Sequence, residues 1–281
     1  MGHDRFDGSE TVTVIRPSGR WPGLDLAEIW RYRDLLLILA ERDLRLRYRQ
    51  TALGVVWVLL QPLLGAAILA FVFGRIAGVD AGGLPYLPLA FAGLLGWGLF
   101  STVVSRSTLA LVNQPQLVSK VYFPRQLLPL ATVLPALVDY AVAFIVLLAL
   151  LLWHGMAVEP RVLLSLLWVV PLAALATGLG LFGSSLAVTY RDVGHVLPTV
   201  LQFAMFASPV AYRVTAVPPS YRALFLLNPL APLLEALRSS LLGGEAPPRA
   251  PLALACVLSF CVLVGGLLFF GRRQRRLADV I

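Results

Sequence analysis

Long apolar runs, separated by short polar or charged segments, dominate the chain after residue 50. A helix needs about 20 mostly apolar residues to cross the hydrocarbon core of a membrane. Six runs reach that length, and they cover residues 53–74, 87–105, 127–152, 162–188, 194–212 and 252–270. The pattern predicts an all-α integral membrane protein with six transmembrane helices in a domain over 51–281.

Residues 24–50 show a different pattern, in which apolar side chains recur at helical spacing among charges. The apolar positions are Leu26, Ile29, Trp30 and Leu37. Glu41 precedes Arg45 by four residues, an order that stabilises helices, and Asp43 and Arg47 repeat it. Basic helices with Trp and Leu on the other face are typical of the membrane interface. We therefore expect an amphipathic interface helix at 24–50, after a flexible tail at 1–23.

The segment between the last two apolar runs contains a shorter amphipathic stretch. Its helical stripe consists of Leu230, Leu233, Leu234, Leu237 and Leu241, with Glu235 and Arg238 beside the stripe. About a dozen residues are too few to cross a membrane. Pro229 precedes the stretch and Gly243-Gly244 ends it. This pattern predicts a re-entrant or interfacial hairpin over 218–242, on the outer side.

Composition and charge support a membrane protein. Hydrophobic residues make up 58% of the chain and charged residues 14%, whereas soluble domains carry roughly 25% charged residues. The net charge of +8 does not indicate nucleic acid as a partner, because the arginines flank apolar runs instead of lining one solvated face. With both termini in the cytoplasm, 17 of the 23 Lys and Arg residues lie inside, as the positive-inside rule requires.

The arginines before the first span have two interpretations. Arg42, Arg45, Arg47 and Arg49 anchor that span on the cytoplasmic side by their charge alone. They also form a candidate cytoplasmic gate that attracts a lipid pyrophosphate or anionic headgroups.

Signatures of catalysis are missing from the sequence. No G-x-x-x-x-G-K-[ST] stretch is present to bind nucleotide phosphates, and the three histidines are too scattered for a compact metal site. We therefore expect no enzyme, no cofactor and no metal in this chain. Cys256 and Cys261 are expected to pack as small apolar residues. Asp139 is the one acid deep within a predicted span, which indicates either a functional site or a hydrogen bond to a neighbouring helix.

Five sequence stretches, taken together with six spans, resemble the membrane subunits of ABC-2-type exporters of lipid-linked polysaccharides such as O-antigen and teichoic acid precursors. The stretches are RYRQTALGVVWVLLQPLL (47–64), KVYFPRQLLPL (120–130), YRDV (190–193), SPVAY (208–212) and NPLAPLLEALR (228–238). Capsule-type exporters typically lack the aromatic-Pro-Arg sequence found at Phe123-Pro124-Arg125, so the O-antigen and teichoic acid branch is favoured.

The resemblance implies a bacterial inner-membrane homodimer with two separate ATP-binding subunits, which hold the ATP and magnesium, and a lipid-linked glycan as substrate. Segment 113–125 would be the coupling helix. The implied coupling residues are Asn113, Lys120, Tyr122, Arg125, Arg191 and Asp192. From the residues alone, the 113–125 and 190–193 segments could equally be anchors at the lipid surface.

Aromatic residues on two spans are candidates for the substrate path. They are Trp57, Phe203, Phe206 and Tyr212. Sugars stack on aromatic rings, but such rings also form belts at membrane interfaces or pack between helices, and these alternatives stay open. Two other functions remain: an ABC-2 exporter of drugs or small lipids, and an ion-coupled carrier that uses Asp139.

Overall fold

The computed structural model describes residues 26–49, 54–120 and 123–277, and within these ranges it is built from helices without a strand. The helices are α1 Leu26–Arg31, α2 Arg33–Arg49, α3 Gly54–Leu69, α4 Tyr86–Leu109, α5 Pro115–Lys120, α6 Leu127–Ala131, α7 Val133–Trp153, α8 Val162–Ala187, α9 Val193–Phe206, α10 Pro219–Leu226, α11 Leu230–Leu242 and α12 Arg249–Leu277. A π-helix, Ala70–Ile76, continues α3. The predicted all-α class is confirmed.

Four helical segments of the described chain are long and apolar enough to cross a membrane. They are Tyr86–Leu109, Leu127–Trp153, Val162–Ala187 and Arg249–Gln274. These agree with four of the six predicted spans. The other two predicted spans correspond to α3 with its π-helix and to α9, which has 14 residues.

Helix α4 lies at the centre of the main core, packed against α3, α7, α8 and α11. We call the end of α4 near α5 the α5 end, and the end near Tyr86 the hairpin end. Gly96 of α4 lies against Leu172, and farther along Thr108 lies against Gly183. Residue numbers increase in the same direction along both helices in these two contacts, so α4 and α8 run parallel.

Helices α8 and α12 also run parallel, at very close range. A Cβ on Gly178 would lie 2.5 Å from the Val262 carbonyl oxygen, so only glycine permits this backbone approach. One turn later, the rings of Phe182 and Phe269 are 5.1 Å apart between centroids. The chain from 188 to 248 must therefore return from the α5 end to the hairpin end.

Two segments run antiparallel to α4 along its length. Gly65 of α3 lies against Leu94, and Gly74 of the π-helix lies against Tyr86 at the start of α4. Gly194 lies against Leu109, the last residue of α4. The Tyr86 hydroxyl donates to the Ala211 carbonyl over 2.7 Å. Residues 194–211 thus extend from one end of α4 to the other.

The N-terminal part is broken near Tyr32, so the predicted single helix at 24–50 is two helices within the described residues. Leu39 and Ala40 are buried, whereas Trp30 and Leu37 are 69% and 55% exposed. The face predicted from Trp30 and Leu37 is therefore an uncovered apolar face, and α2 packs onto the bundle through other residues.

Helices α10 and α11 occupy the segment predicted as a hairpin, and α11 is much more deeply buried than its amphipathic sequence indicated. Glu235 and Arg238, which stand beside its leucine stripe, are only 6% and 2% exposed. Helix α11 packs against α4, α8 and α12. It ends where Gly243 adopts a φ of 82°, a conformation that favours glycine, as the Gly-Gly pair predicts.

Candidate functional site

An apolar cluster joins the peripheral helices to the bundle at the α5 end. Its buried members include Leu39 of α2, Val118 of α5, Phe123, Leu127 of α6 and Phe270 of α12. Packed interiors resist compression, so neighbours in such a cluster shift together. The cluster therefore packs α5 into one apolar unit with α2, α6 and α12.

A hydrogen bond reinforces the connection between α2 and the segment before α5. One Arg42 guanidinium nitrogen donates to Gln114 Oε1 over 2.7 Å. The same guanidinium pairs with Asp43 at 2.9 Å. Hydrogen bonds from charged donors contribute about 1.5–3 kcal/mol when they are protected from water, and less when they are exposed. Arg42 thus ties the candidate gate to the candidate coupling segment.

The predicted coupling residues occupy one end of the molecule but not one compact site. Asn113, Lys120, Arg191 and Asp192 are exposed, as contact with a partner requires. Arg125 is half-buried, and one of its guanidinium nitrogens is buried without a hydrogen-bond partner among the residues placed by the structure. Tyr122 lies outside the described residues. Among the described residues of the predicted coupling helix at 113–125, the helical part is Pro115–Lys120.

The other predicted gate arginines are only partly described. Arg45 is exposed and pairs with Glu41, the predicted i,i+4 partner. Arg47 and Arg49 lie in α2, but their side chains are outside the described part of the chain. The gate assignment therefore stays a prediction.

The residues of the predicted aromatic path do not share one face, because α9 ends at Phe206, before Tyr212. Phe203 and Phe206 are 69% and 56% exposed. They continue a face that includes Val196 and Val200, which are also exposed. Tyr212 lies beyond the helix, where its hydroxyl donates to the Phe206 carbonyl over 3.0 Å. Tyr212 therefore covers the end of α9 and does not extend the Phe203–Phe206 face.

Helix α3 presents a second uncovered apolar face. Its exposed side chains recur every three or four residues, at Leu60, Leu64, Ile68 and Phe71. Trp57 also lies on α3, although its side chain is not among those described. Helices α3 and α9 both pack on α4, and each carries an apolar face that the described residues do not cover. Helices α2, α7, α8 and α12 carry exposed apolar side chains as well.

A buried ionic cluster fixes the loop after α9 at the hairpin end. Arg238 of α11 donates to the carbonyls of Pro209, Val210 and Tyr212 over 2.6–3.0 Å. Its guanidinium also pairs with Glu235 at 3.0 Å. Burial lowers the pKa of Arg238, and the neighbouring Glu235 carboxylate opposes that change. Arginine remains protonated in proteins, so the cluster retains its charge.

Glycine permits the same loop to reach α4. A Cβ on Gly93 would overlap the Val210 carbonyl oxygen and would lie 2.7 Å from an Arg238 nitrogen. Arg213 extends the cluster with a 3.4 Å contact to Glu235. The loop at 208–212, α4 and α11 therefore form one rigid unit. Sequence periodicity placed Arg238 and Glu235 on a polar face, and only their position in the NPLAPLLEALR stretch indicated another role.

Asp139 of α7 lines a cavity between α3, α4 and α7 and is half-buried. It already takes part in an interaction, so it is not an isolated acid in an apolar environment. This agrees with the interpretation of Asp139 as a residue bonded within the chain, and its functional role stays a prediction. The cavity itself was not predicted.

Comparison with known proteins agrees with this architecture. A family profile described as ABC-2 type transporter matches residues 34–242. The O-antigen export system permease protein RfbA of Myxococcus xanthus is 29% identical over 263 residues, which cover 90% of this chain and 98% of that protein. A protein of the same name from Klebsiella pneumoniae is 26% identical, over 88% of this chain and 95% of its own length.

A further relative carries a different name. The polysialic acid transport protein KpsM of Escherichia coli is 26% identical over 239 residues, which cover 83% of this chain and 91% of that protein. The family profile spans the coupling segment, the aromatic helix α9 and the buried hairpin helix α11. The chain belongs to the ABC-2 type transporter family of membrane proteins.

Proposed function

We propose that the chain is the permease subunit of an ATP-driven exporter that moves a lipid-linked polysaccharide, of the O-antigen or teichoic acid type, out of the cytoplasm. The observation that carries this proposal is similarity over nearly the full length of proteins named for O-antigen export. Two copies of the chain would form the membrane part. Two ATP-binding subunits would supply the energy, with ATP and magnesium bound on those partners.

Six membrane crossings are part of the proposal. The parallel direction of α4, α8 and α12 supports it, because each pair of parallel helices requires a return crossing between them. Helix α7 provides the return between α4 and α8. Residues 193–211 provide the return between α8 and α12, and α3 supplies the first crossing. The α5 end would then face the cytoplasm, and α10 and α11 would form a re-entrant hairpin at the outer surface.

Coupling to ATP would act through the α5 end. The exposed Lys120 and Arg191 present positive charge to the ATP-binding partner, whose closure would press on α5. Since Val118 and Leu39 share one buried cluster, that movement reaches α2 as well as the spans. The Arg42–Gln114 hydrogen bond couples the same two elements.

The conduit would form where two copies bring their uncovered faces together. The α3 face with Leu64 and the α9 face with Phe203 and Phe206 are apolar and lack cover from the described chain. Aromatic rings on α9 offer stacking surfaces to sugars, while the apolar remainder suits the lipid tail. The Arg238 cluster would hold the outer end of α9 in place while the inner end moves.

Export by the reconstituted complex tests the proposal. The chain and its ATP-binding partner are placed in vesicles, and a radiolabelled lipid-linked glycan is followed across the bilayer. We expect transport with ATP and none when the partner carries an inactive nucleotide site. Flux that continues with the inactive partner and follows an ion gradient would overturn the proposal in favour of an ion-coupled carrier. ATP-dependent transport of a drug or a small lipid, without glycan transport, would favour the other alternative.

A further inference from the structure

The cavity beside Asp139 has a mixed polar and apolar lining. It has a volume of about 440 Å³, within the range of 300–1,000 Å³ that is usual for small-molecule sites. The polar groups that line it come from three helices: Gln61 of α3, Ser101 and Thr102 of α4, and Asp139 and Tyr140 of α7. Polar groups facing a membrane interior are unfavourable unless they find partners.

Three of these polar groups lie at similar distances from the α5 end of their helices. Gln61 lies seven residues after the start of α3, and Asp139 lies six residues after the start of α7. Thr102 lies seven residues before the end of α4. At 1.5 Å per residue, each is about 10 Å from the α5 end of its helix. Under the proposed topology, Gln61 and Thr102 therefore lie in the half of the bilayer that faces the cytoplasm, and Asp139 lies near the middle of the span Leu127–Trp153.

One polar group at this site is visibly unsatisfied. Tyr140 is 5% exposed, and its hydroxyl is buried without a hydrogen-bond partner in the part of the chain that the structure describes. A buried hydroxyl without a partner is unfavourable by roughly 1–3 kcal/mol. Because the hydroxyl oxygen has almost no accessible surface, a ligand would have to displace neighbouring side chains in order to bind it. The Trp97 ring also lines the cavity, and it supplies an apolar surface next to the polar groups.

The charge of the lining restricts the ligand. Among the described lining residues none is Lys or Arg and one is a carboxylate, so phosphate and other anions are disfavoured. Asp139 already takes part in an interaction within the chain. Amide, hydroxyl and phenol groups both donate and accept hydrogen bonds. Sugar and glycerol hydroxyls do the same.

We infer that this cavity binds the neutral, hydroxyl-rich headgroup of a single lipid from the cytoplasmic leaflet. Its position between α3, α4 and α7 separates it from the α9 face assigned to the conduit. The lipid has two possible sources. One is the exported lipid-linked glycan, whose sugar hydroxyls and not its pyrophosphate would enter the cavity, and the other is a resident glycolipid of the membrane. The first source rests on the proposed function, whereas binding of a neutral headgroup does not.

Gly98 allows the cavity to be filled without disturbing its walls. It lines the cavity, and a Cβ built on it meets no atom within 4 Å. Gly98→Val therefore projects its side chain into open space. Ala253→Leu adds the same number of carbon atoms on an exposed position of α12 and serves as the matched control. Tyr140→Phe removes only the unsatisfied hydroxyl.

Photolabelling measures the binding. The full chain is placed in phosphatidylcholine vesicles with a glucosyl diacylglycerol whose acyl chain bears a diazirine next to the headgroup, and labelled peptides are mapped by mass spectrometry. We expect labelling on α3, α4 or α7 beside the cavity. Gly98→Val should reduce it about tenfold and Tyr140→Phe about fivefold, with Ala253→Leu unchanged. Each variant is first compared with the wild type by size-exclusion elution, and where one cavity variant fails to fold, the other decides the outcome.

Three further arms complete the test. A phosphatidylserine carrying the same acyl chain should not label the cavity, and equal labelling by it would overturn the inference. Undiminished labelling in both cavity variants would overturn it too. Competition by the lipid-linked glycan identifies the substrate as the source, while competition by unlabelled glucosyl diacylglycerol alone identifies a resident lipid. Because no ATP is used, a failure of export leaves this measurement intact.

Discussion

At the scale of single residues, two glycines of α4 occupy opposite environments. Gly93 touches the carbonyl of Val210, whereas Gly98 faces open space. Alanine at position 93 must displace the 208–212 loop, and overpacking of this kind is unfavourable by about 1–3 kcal/mol. Alanine at position 98 should instead stabilise α4 by about 0.5–1 kcal/mol through helix propensity. Thermal unfolding of Gly93→Ala and Gly98→Ala in detergent compares them, and equal melting temperatures would contradict the close approach.

Arg238 yields a second prediction at this scale. Arg238→Met leaves Glu235 buried without its closest cation, and it leaves three loop carbonyls without their donor. Breaking a buried ion pair from one side typically lowers stability by about 3–5 kcal/mol. The control is Arg161→Met, which removes a largely exposed ion pair with Glu159, usually worth less than about 1 kcal/mol.

The measurement for these arginine variants is the free energy of unfolding in mixed micelles. A loss for Arg238→Met no larger than the loss for Arg161→Met would show that the cluster does not hold the loop. Since the two substitutions remove the same functional group, a difference between them reports the burial and the partners of Arg238.

Sequence periodicity could not reveal the role of Arg238. A stripe of leucines with two charges beside it is the normal pattern of a helix half in water, and it says nothing about a loop that packs over the charged side. The partners of Arg238 are backbone carbonyls some 26–29 residues away. Every residue has a backbone carbonyl, so the sequence of α11 cannot indicate which carbonyls its arginine will bind.

At the scale of elements, α5 and its surroundings allow a test of coupling. Lys120 is exposed at the end of α5, so Lys120→Glu should leave folding and membrane insertion unchanged. Reversal of a charge at an interface weakens association, and we expect ATP hydrolysis and export to become uncoupled, with export falling about tenfold. Arg75→Glu reverses an exposed charge near the hairpin end and should have little effect.

The coupling test needs two readouts, capture of the ATP-binding partner and export per ATP hydrolysed. Normal capture together with normal export in Lys120→Glu would remove this residue from the coupling site. Arg125 is less suitable for the test, because its half-buried side chain also packs within the chain and a substitution would mix folding with coupling.

Substitutions on the exposed face of α9 can distinguish a role in transport from a role in packing. Phe203 and Phe206 lie largely uncovered, so Phe203→Ala combined with Phe206→Ala should change the stability of the single chain very little. If the rings line the conduit, export should fall severalfold at equal protein abundance. Phe91→Ala is the contrasting substitution, since that ring is fully buried and its removal lowers stability by about 3–5 kcal/mol. Parallel loss of abundance and export in the α9 variant would identify a packing role.

The helices themselves were predictable where the apolar run alone determines them. The spans predicted at 87–105 and 162–188 agree with α4 and α8 to within a few residues at each end. The span predicted at 194–212 ends early, at Phe206, although its apolar character continues. Pro209 has no backbone N–H and disfavours helix in the residue before it. The carbonyls that follow are bound by Arg238 instead of by a helix.

At the scale of the whole molecule, the direction of α8 and α12 constrains the path of the chain. Gly178 contacts Val262, and farther along both helices Phe182 contacts Phe269. Residue numbers thus increase in the same direction, so both helices start at the same end. The chain between them therefore returns once. Helix α9 alone is about 21 Å long at 1.5 Å per residue, short of a hydrocarbon core of about 30 Å. The turns and bends of residues 207–211 complete the distance to Tyr86.

Cysteine labelling decides whether this return is a membrane crossing. In a chain with Cys256 and Cys261 replaced by alanine, single cysteines are introduced by Tyr190→Cys and Thr215→Cys, both at exposed positions that flank α9. A membrane-impermeant maleimide added to spheroplasts should label the Thr215→Cys variant at once. It should label the Tyr190→Cys variant only after lysis, because the α5 end faces the cytoplasm. Labelling of both variants in intact spheroplasts would place both ends of α9 on one side, and the chain would then lack the crossing that two parallel helices demand.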